Sequence, residues 1–314
     1  MSDDRPPTTL VLGTRGSTLA LHQSRWFADQ VMQAWPEVTV TLKEIKTSGD
    51  KILDVPLAKI GGKGLFVKEI EEALLAREID FAVHSMKDVP TELPDGLAIT
   101  CIPRREDPRD ALIARNATVF ANLPRGARIG TSSLRRQAQL LQHRPDLRIE
   151  MLRGNLDTRL RKLREGQYDA IVLAAAGLRR LGWDDQITEY LSVDLSVPAI
   201  GQGALGIESR RNDDTVCDIL AKLEHPSTRI AVTAERALLH RLEGGCQVPI
   251  AAHATLTGHE VRLQGLIASV DGKQIVHGEN QGPLEEAARI GTDLGTNLLE
   301  RGGRDILSAI YGRI

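Results

Sequence analysis

The sequence predicts an α/β protein made of two α/β lobes and a smaller α+β domain at the carboxyl end. Two observations lead to this prediction. Short apolar strand patterns alternate with helical patterns through the first two thirds of the chain, whereas three strand patterns and then a helix make up the last third. The chain has 314 residues, of which 41% are hydrophobic and 26% are charged, which is enough for two or three domains with cores of their own.

The first lobe begins with a strand at residues 9–13, which runs into a helix through about Ala34 with Ser17 as the predicted N-cap. Its other predicted elements are a strand at 38–42, a polar and mobile stretch at 46–51, a glycine-rich turn at 57–66, a helix at 66–77 and a buried strand at 80–84. A strand at 204–209 is expected to return to this lobe, and a helix at 213–223 leads away from it.

Residues 101–108 are predicted to cross to the second lobe. Three strand–helix units follow there, with strands at 127–130, 147–152 and 169–173 and helices at 132–142, 155–165 and 175–181. Such alternation favours a mainly parallel sheet with right-handed crossovers. In the last third, a helix at 227–242 stops at Gly244-Gly245, and strands at 248–256, 260–269 and 274–279 precede a helix at 283–301.

The composition argues against several classes of protein. Three cysteines without paired spacing favour neither a disulfide framework nor a zinc knuckle, so at least one thiol should be free. The eight histidines show no metal-ligand spacing, so no metal is expected, and His84 and His240 are predicted to pack or cap. The first residues do not resemble a signal peptide and no apolar run reaches membrane-spanning length, so a cytoplasmic protein is expected.

The charge of the chain is unevenly distributed. Residues 125–164 contain ten arginines and one lysine against three carboxylates, a net charge of +8, while the rest of the chain carries −10. Positive charge concentrated in one segment of the chain predicts an anionic ligand. The strongest signal is the segment 129–136, where a strand feeds a helix whose first turn offers hydroxyls, unpaired N–H groups, Arg135 and Arg136. Arg153 follows the next strand, and Arg15 lies in an equivalent strand-to-helix turn.

Lys87 and Asp88 follow a buried strand that Pro90 ends. The carboxyl end of a strand is where open α/β sheets bind their ligands. A solvated turn pair is the alternative explanation for this segment taken alone, but a carboxylate at a strand end among so many arginines points to a role in the site.

Two glycine motifs and one cysteine remain. Gly201-Gln-Gly-Ala-Leu-Gly206 matches G-x-G-x-x-G but leads into an apolar strand, and Gly61-Gly-Lys-Gly64 lacks the spacing of a Walker loop, so neither predicts a nucleotide site. Cys246 lies just past a helix end, where Gly244-Gly245 allows a sharp turn. Its spacing alone fits a small buried hydrophobic residue as well as a reactive one.

Five blocks, in order along the chain, resemble the porphobilinogen deaminase family, also called hydroxymethylbilane synthases. They are Thr14-Arg15 with Ser17-Thr-Leu-Ala-Leu21, Gly62-Lys-Gly-Leu-Phe66, His84-Ser-Met-Lys-Asp-Val-Pro90, Gly130-Thr-Ser-Ser-Leu-Arg-Arg136 and Glu243-Gly-Gly-Cys-Gln-Val-Pro249. The resemblance runs from about residue 9 to residue 252. It implies three domains: residues 1–103 with 204–221, residues 104–203, and residues 222–314. The first two resemble the lobes of periplasmic binding proteins, and the third carries the cofactor cysteine.

The resemblance also implies an activity. The family's enzymes are transferases of tetrapyrrole (haem) biosynthesis that condense four porphobilinogen molecules head to tail, release ammonia each time and form hydroxymethylbilane. A dipyrromethane cofactor would be joined to Cys246 by a thioether. Each porphobilinogen brings an acetate and a propionate, so the growing chain needs arginine partners, which accounts for the basic segment. Asp88 matches the catalytic aspartate that stabilises the positive charge left when ammonia departs, and whether it also carries a proton stays open.

The site residues that the resemblance implies fall into two groups. Those expected to bind the cofactor, besides Cys246, are Lys87, Asp88, Thr131, Ser133, Arg135, Arg136 and Arg159. Those expected to bind the substrate are Arg15, Ser17, Lys59, Lys63, Arg153 and Arg180. Arg159 is the weakest match, because Asp157 adds a negative charge to its helix, whereas Arg161 and Arg164 are expected to be solvated.

The resemblance implies porphobilinogen as the small-molecule partner. Nothing in the sequence demands more than a monomer, and no nucleic acid, membrane or obligate protein partner is expected. The net charge of −2 and the 3% aromatic content also argue against nucleic acid. A solute-binding or sensor module is the rival from another class, because two α/β lobes and an anion site serve binding without chemistry. That alternative accounts for the arginines but not for Cys246 in its glycine loop.

Overall fold

A computed structural model describes residues 8–48, 67–243 and 248–312, which form two compact units. The strands are β1 (Thr8–Thr14), β2 (Val38–Glu44), β3 (Phe81–Ser85), β4 (Leu97–Cys101), β5 (Asp110–Ala114), β6 (Arg128–Gly130), β7 (Arg148–Glu150), β8 (Ala170–Ala174), β9 (Glu189–Tyr190), β10 (Leu205–Arg210), β11 (Ile250–Thr257), β12 (Glu260–Ala268) and β13 (Ile275–Pro283). The helices are α1 (Thr18–Ala34), α2 (Lys68–Leu75), α3 (Leu134–His143), α4 (Leu156–Arg164), α5 (Ala175–Arg180), α6 (Asp214–Ala221), α7 (Pro226–Arg241), α8 (Ala287–Leu298) and α9 (Arg304–Tyr311).

Unit 1 contains the described residues of 8–105 and residues 204–226. Its five strands form a mixed sheet in the order β2-β1-β3-β10-β4, with β1 parallel to β2 and β3 and with β10 antiparallel to β3 and β4. The predicted N-cap of α1 is confirmed, because the Ser17 hydroxyl accepts a hydrogen bond from the Ala20 N–H at 3.3 Å. Phe27 of α1 packs edge-on against Phe81 of β3, with 6.0 Å between ring centroids, and this anchors the helix to the sheet.

The first part of unit 2 is a second mixed sheet, in the order β7-β6-β8-β5-β9. The three predicted strand–helix units are present, and β6 is parallel to both β7 and β8. The expectation of a mainly parallel sheet is corrected by β5 and β9, which add antiparallel pairings. Neither strand was predicted, because β5 begins with the charged Asp110 two residues after Pro108 and β9 is only two residues long.

The last part of unit 2 is a three-stranded antiparallel sheet, β11-β12-β13, packed against α7 and α8. Leu238, Leu263 and Leu294 are fully or almost fully buried between the sheet and these helices. The helix predicted at 283–301 is present but shorter, because β13 extends to Pro283 and α8 spans Ala287–Leu298. After α8 the chain kinks at Gly302, whose φ of +107° favours glycine, and continues as α9, which was not predicted.

These elements confirm the predicted fold class: two sheet-and-helix lobes and a smaller three-stranded α+β part at the carboxyl end. The three-domain boundaries implied by the sequence stay a prediction. Within the described residues, no helix is both long and apolar enough to cross a lipid bilayer.

Candidate functional site

The sequence-predicted site residues of unit 1 lie after two parallel strands. Arg15 follows β1, and Lys87 and Asp88 occupy a 3₁₀ turn, Met86–Asp88, directly after β3. Because β1 and β3 run parallel, these residues share the carboxyl edge of the sheet, where ligands of α/β proteins bind. Asp88 is exposed, whereas Arg15 and Lys87 are half-buried.

The turn that carries Asp88 is fixed by its neighbours. The Met86 N–H donates a hydrogen bond to the Ala204 carbonyl at 3.0 Å, and the Val89 N–H closes the turn on the Met86 carbonyl at 3.2 Å. Met86 is 1% exposed, and its sulfur lies where a side chain at Gly206 would begin. Asp88 is therefore an exposed carboxylate on a well-supported turn, an arrangement that suits a group required to meet a ligand in one orientation.

In unit 2 the candidate residues again lie at the carboxyl ends of parallel strands. Thr131 and Ser133 follow β6, Arg153 follows β7, and α5, which ends with Arg180, follows β8. Ser133 is the N-cap of α3: its hydroxyl accepts from the Arg136 N–H at 3.4 Å, and the Thr131 hydroxyl accepts from the Ser133 N–H at 3.2 Å. The strand-to-helix turn expected from the sequence is therefore present, and the role of this helix start in binding an anion stays a prediction.

Arg135 and Arg136 both contact a residue that the sequence analysis missed. Asp110, the first residue of β5, is fully buried and accepts from Nη1 of Arg135 at 2.8 Å and from Nε of Arg136 at 2.9 Å. Ser196 and Gln202 also donate to this carboxylate, at 2.8 and 2.9 Å. Burial raises the pKa of Asp110, but the two guanidinium charges outweigh it and hold the pKa well below its ordinary value.

One carboxylate balances only one of the two guanidinium groups, so this cluster keeps a positive charge. Burial lowers the pKa of Arg135, and its Nε is buried without a hydrogen-bond partner among the described residues. Strand β5 was not predicted, and Asp110 was therefore not recognised. The sequence pattern that could have revealed Asp110 is an acid at the start of an apolar run, Asp-Ala-Leu-Ile-Ala, because a surface charge is unusual in that position.

Arg159 and Arg180 donate hydrogen bonds to backbone carbonyls. Nε of Arg159 donates to the Gly154 carbonyl at 2.7 Å, and Nη2 of Arg180 donates to the Gly203 carbonyl at 2.7 Å. Burial lowers the pKa of Arg180 to about 10, which leaves it charged at neutral pH. Arg161 and Arg164 are exposed, as expected of solvated positions.

The G-x-G-x-x-G motif is a tight connection that leads into β10. Gly201 and Gly203 have φ of +70° and +87°, and a Cβ atom at Gly203 would lie 2.4 Å from the Glu106 carbonyl oxygen. The buried Glu235 of α7 accepts from the Gly201 N–H at 2.7 Å and from the Ala254 N–H of β11 at 2.9 Å. The motif therefore has a structural explanation, and it leads into a strand as the sequence predicted.

Three of the predicted site residues, Cys246, Lys59 and Lys63, lie outside the described residues, as does the glycine-rich turn at 57–66. The other two cysteines, Cys101 and Cys217, form no disulfide bond within the described residues. Each unit therefore has its own group of candidate residues at the edge of its sheet. The group of unit 1 includes Asp88, and the group of unit 2 includes the basic start of α3.

Comparisons with known proteins cover almost the whole chain. Residues 10–218 match the family described as "Porphobilinogen deaminase, dipyromethane cofactor binding domain", and residues 229–300 match "Porphobilinogen deaminase, C-terminal domain". Relatives named porphobilinogen deaminase include those of Pelobacter propionicus, 59% identical over 98% of this chain and 99% of the relative, and of Geobacter metallireducens, 58% identical over 98% and 96%. A periplasmic solute-binding protein from Desulfovibrio salexigens is 11% identical over 69% of this chain and 72% of its own, with a TM-score of 0.42.

Proposed function

The chain belongs to the porphobilinogen deaminase family, and from this premise we propose which of its residues hold the cofactor, bind the substrate and stabilise the reacting charge. The enzyme is a transferase of tetrapyrrole biosynthesis. It condenses four porphobilinogen molecules head to tail with release of ammonia, gives hydroxymethylbilane, and uses a dipyrromethane cofactor.

We assign the cofactor to Cys246, which would hold dipyrromethane through a thioether. When bound, this group supplies the end to which the first porphobilinogen is joined. Lys87, Asp88, Thr131, Ser133, Arg135, Arg136 and Arg159 are the proposed cofactor-binding residues. The hydroxyls and N–H groups at the start of α3, with the buried Arg135 Nε that has no hydrogen-bond partner among the described residues, form a donor set that fits a ligand rich in carboxylates.

We assign the substrate carboxylates to Arg15, Ser17, Lys59, Lys63, Arg153 and Arg180. Arg15 and Arg153 each follow a parallel strand, and Arg180 ends the helix that follows β8. The arginines are suited to bidentate pairing with an acetate or a propionate. The observation that carries this proposal is that, in each unit, parallel strands deliver the predicted residues to one sheet edge.

Asp88 is the proposed catalytic residue. When ammonia leaves the aminomethyl group of porphobilinogen, positive charge spreads to the pyrrole nitrogen. An exposed carboxylate on a fixed turn can accept a hydrogen bond from that N–H and oppose the charge as it develops. A positioned carboxylate that stabilises charge does not itself have to transfer a proton.

Replacement of Arg153 by glutamine tests the substrate assignment. A lost hydrogen bond to a charged group costs about 1.5–3 kcal/mol, so KM for porphobilinogen should rise about 10- to 100-fold. Steady-state kinetics of ammonia release measure this effect. Arg164→Gln is the matched control, because Arg164 is an exposed arginine of α4 that donates to Gln186 at 3.2 Å; its KM should stay within about two-fold. Equal values for the two variants would remove Arg153 from the site.

We further propose that the enzyme acts as a cytoplasmic monomer, with porphobilinogen as its partner and with no nucleic acid, membrane or obligate protein partner. The support comes from the sequence: a net charge of −2, an aromatic content of 3% and positive charge confined to one segment suit a small anionic substrate better than a polyanion. The molar mass in solution, measured by light scattering, tests the monomer assignment.

A further inference from the structure

A buried group of ionisable side chains lies in unit 1 behind the turn that carries Asp88. It consists of Glu71 on α2, His84 on β3 and Glu208 on β10, which are 9%, 6% and 0% exposed. Nε2 of His84 is 2.9 Å from Oε2 of Glu208, an ion-pair distance without the alignment of a hydrogen bond. Neither carboxylate oxygen of Glu208 has a hydrogen-bond partner among the described residues. None of these three residues has a part in the reaction proposed above.

The cluster forms because successive side chains of β10 point to opposite faces of the sheet. Ile207 packs with Val83 on the α1 side of the sheet, so Gly206, Glu208 and Arg210 face the α2 side. On that side β10 meets α2: Nη1 of Arg210 donates to the Leu74 and Ile79 carbonyls at 2.9 and 2.7 Å. Glu208 is thus placed under α2 beside His84. A strand expected to be apolar therefore carries a buried acid.

Among the residues that the structure describes, neither Glu71 nor Glu208 pairs with a lysine or an arginine. Arg210 pairs with Asp80 at 3.1 Å and Asp213 at 2.8 Å, and β1 and β4 bring no charged residue to this side. The pKa of Glu71 is raised to about 7, first by burial and then by the charge of Glu208. The exposed Glu72 adds to this rise, and His84 opposes it. Two ionised carboxylates buried close together are costly, so a proton on Glu71 lowers the electrostatic cost of burying the pair.

We propose that Glu208 is a positioning residue that acts through His84 on the turn carrying Asp88, and that Glu71 holds the proton that keeps this cluster together. The inference rests on the proposed catalytic role of Asp88. His84 lies two residues before Met86 and four before Asp88 on a continuous stretch of chain.

The turn follows any movement of β10 because it is attached to that strand. The Met86 N–H donates to the Ala204 carbonyl immediately before β10, and the Met86 sulfur fills the space left by the missing side chain of Gly206. When Glu71 loses its proton, its repulsion of Glu208 favours separation of α2 and β10, and the Met86–Asp88 turn loses its support. Asp88 would then meet the substrate less often in the productive orientation.

The pH dependence of kcat tests this inference. The wild-type kcat should fall as the pH rises through about 7, and Glu71→Gln, which mimics the protonated acid, should remove that fall. Glu78→Gln is the control: Glu78 is an exposed acid of the same unit that pairs with Lys43, and its replacement should leave this fall unchanged. Glu208→Gln should lower kcat about 10- to 100-fold with little change in KM, as expected for a misplaced catalytic group. A purely structural role would not move the pH profile.

Unfolding by urea at several pH values gives a second readout that does not depend on activity. The pKa of Glu71 in the folded protein, about 7, lies above its ordinary value of 4.5, so the folded state binds the proton more tightly. The stability that Glu71 contributes is complete below about pH 4.5 and is lost as the pH rises through about 7. Glu71→Gln should abolish this loss.

The outcomes separate this inference from the assignment of Asp88. An Asp88→Ala variant with wild-type kcat would overturn the catalytic assignment itself. If Asp88→Ala is inactive, and Glu71→Gln removes the pH dependence of stability but keeps the wild-type pH profile of kcat, the cluster is structural only and the inference fails. Loss of both pH dependences in Glu71→Gln, together with a kcat defect in Glu208→Gln, supports it.

Discussion

Asp88→Ala is expected to lower kcat about a thousand-fold while the protein stays folded. A carboxylate about 4 Å from a developing positive charge contributes roughly 4 kcal/mol at an effective dielectric constant of 20, and each 1.4 kcal/mol is about tenfold in rate. Asp88 is exposed at the end of a 3₁₀ turn, so its removal leaves no cavity and should change the unfolding free energy by about 0.5 kcal/mol or less. Single-turnover and steady-state rates of ammonia release measure the effect.

Two further variants give this prediction its controls. Asp88→Glu keeps the charge at a longer reach and should retain part of the activity. Asp95→Ala removes an exposed carboxylate from the same unit, outside the turn, and should retain nearly all of it. Equal activity of Asp88→Glu and Asp88→Ala would show that the charge of Asp88 is not what the reaction uses.

Asp110→Asn is expected to destabilise the protein by about 3–5 kcal/mol. Removing one partner of a buried ion pair leaves the remaining charges uncompensated, and here two guanidinium groups, Arg135 and Arg136, depend on one fully buried carboxylate. Asparagine retains the shape but neither the charge nor the full set of acceptor positions. Equilibrium unfolding in urea, followed by circular dichroism, measures the change.

Asp169→Asn is the matched control for this change. Asp169 also pairs with an arginine, Arg128 at 3.1 Å in the same unit, but its side chain is 38% exposed. Surface pairs contribute about 0–1 kcal/mol, so the two substitutions should differ several-fold in cost. If both substitutions lower the free energy of unfolding by similar amounts, burial is not what makes the ion pairs of Asp110 important for stability.

Residues with a local signature were predictable from the sequence. Ser17 was predicted as the N-cap at the start of a helical pattern, and Asp88 follows a strand that a proline ends. The helix start at 131–136 could likewise be predicted from the sequence as a candidate anion site, because its hydroxyls, N–H groups and arginines are contiguous in the chain. Local chemistry of this kind does not depend on the tertiary partners.

What could not be predicted depends on contacts between distant parts of the chain. Asp110 and Arg135 are 25 residues apart, and Glu71 and Glu208 are brought together only because β10 returns beside β3. The short strand β9 lacks the length for a hydrophobic period, so the mixed character of its sheet was not visible either. Asp110 and Glu208 occur in segments expected to be an ordinary connection and an apolar strand, since a single sequence shows a charge but not its burial.

The attachment of the cofactor to Cys246 is the central claim, and the intact mass of the denatured protein tests it most directly. The wild-type mass should exceed that of the 34.4 kDa chain by one dipyrromethane, and Cys246→Ser should lack this excess. The same comparison after incubation with porphobilinogen removes the ambiguity of a preparation without cofactor. A wild-type protein that gains no mass under these conditions, or a Cys246→Ser variant that gains the same mass, would contradict the account.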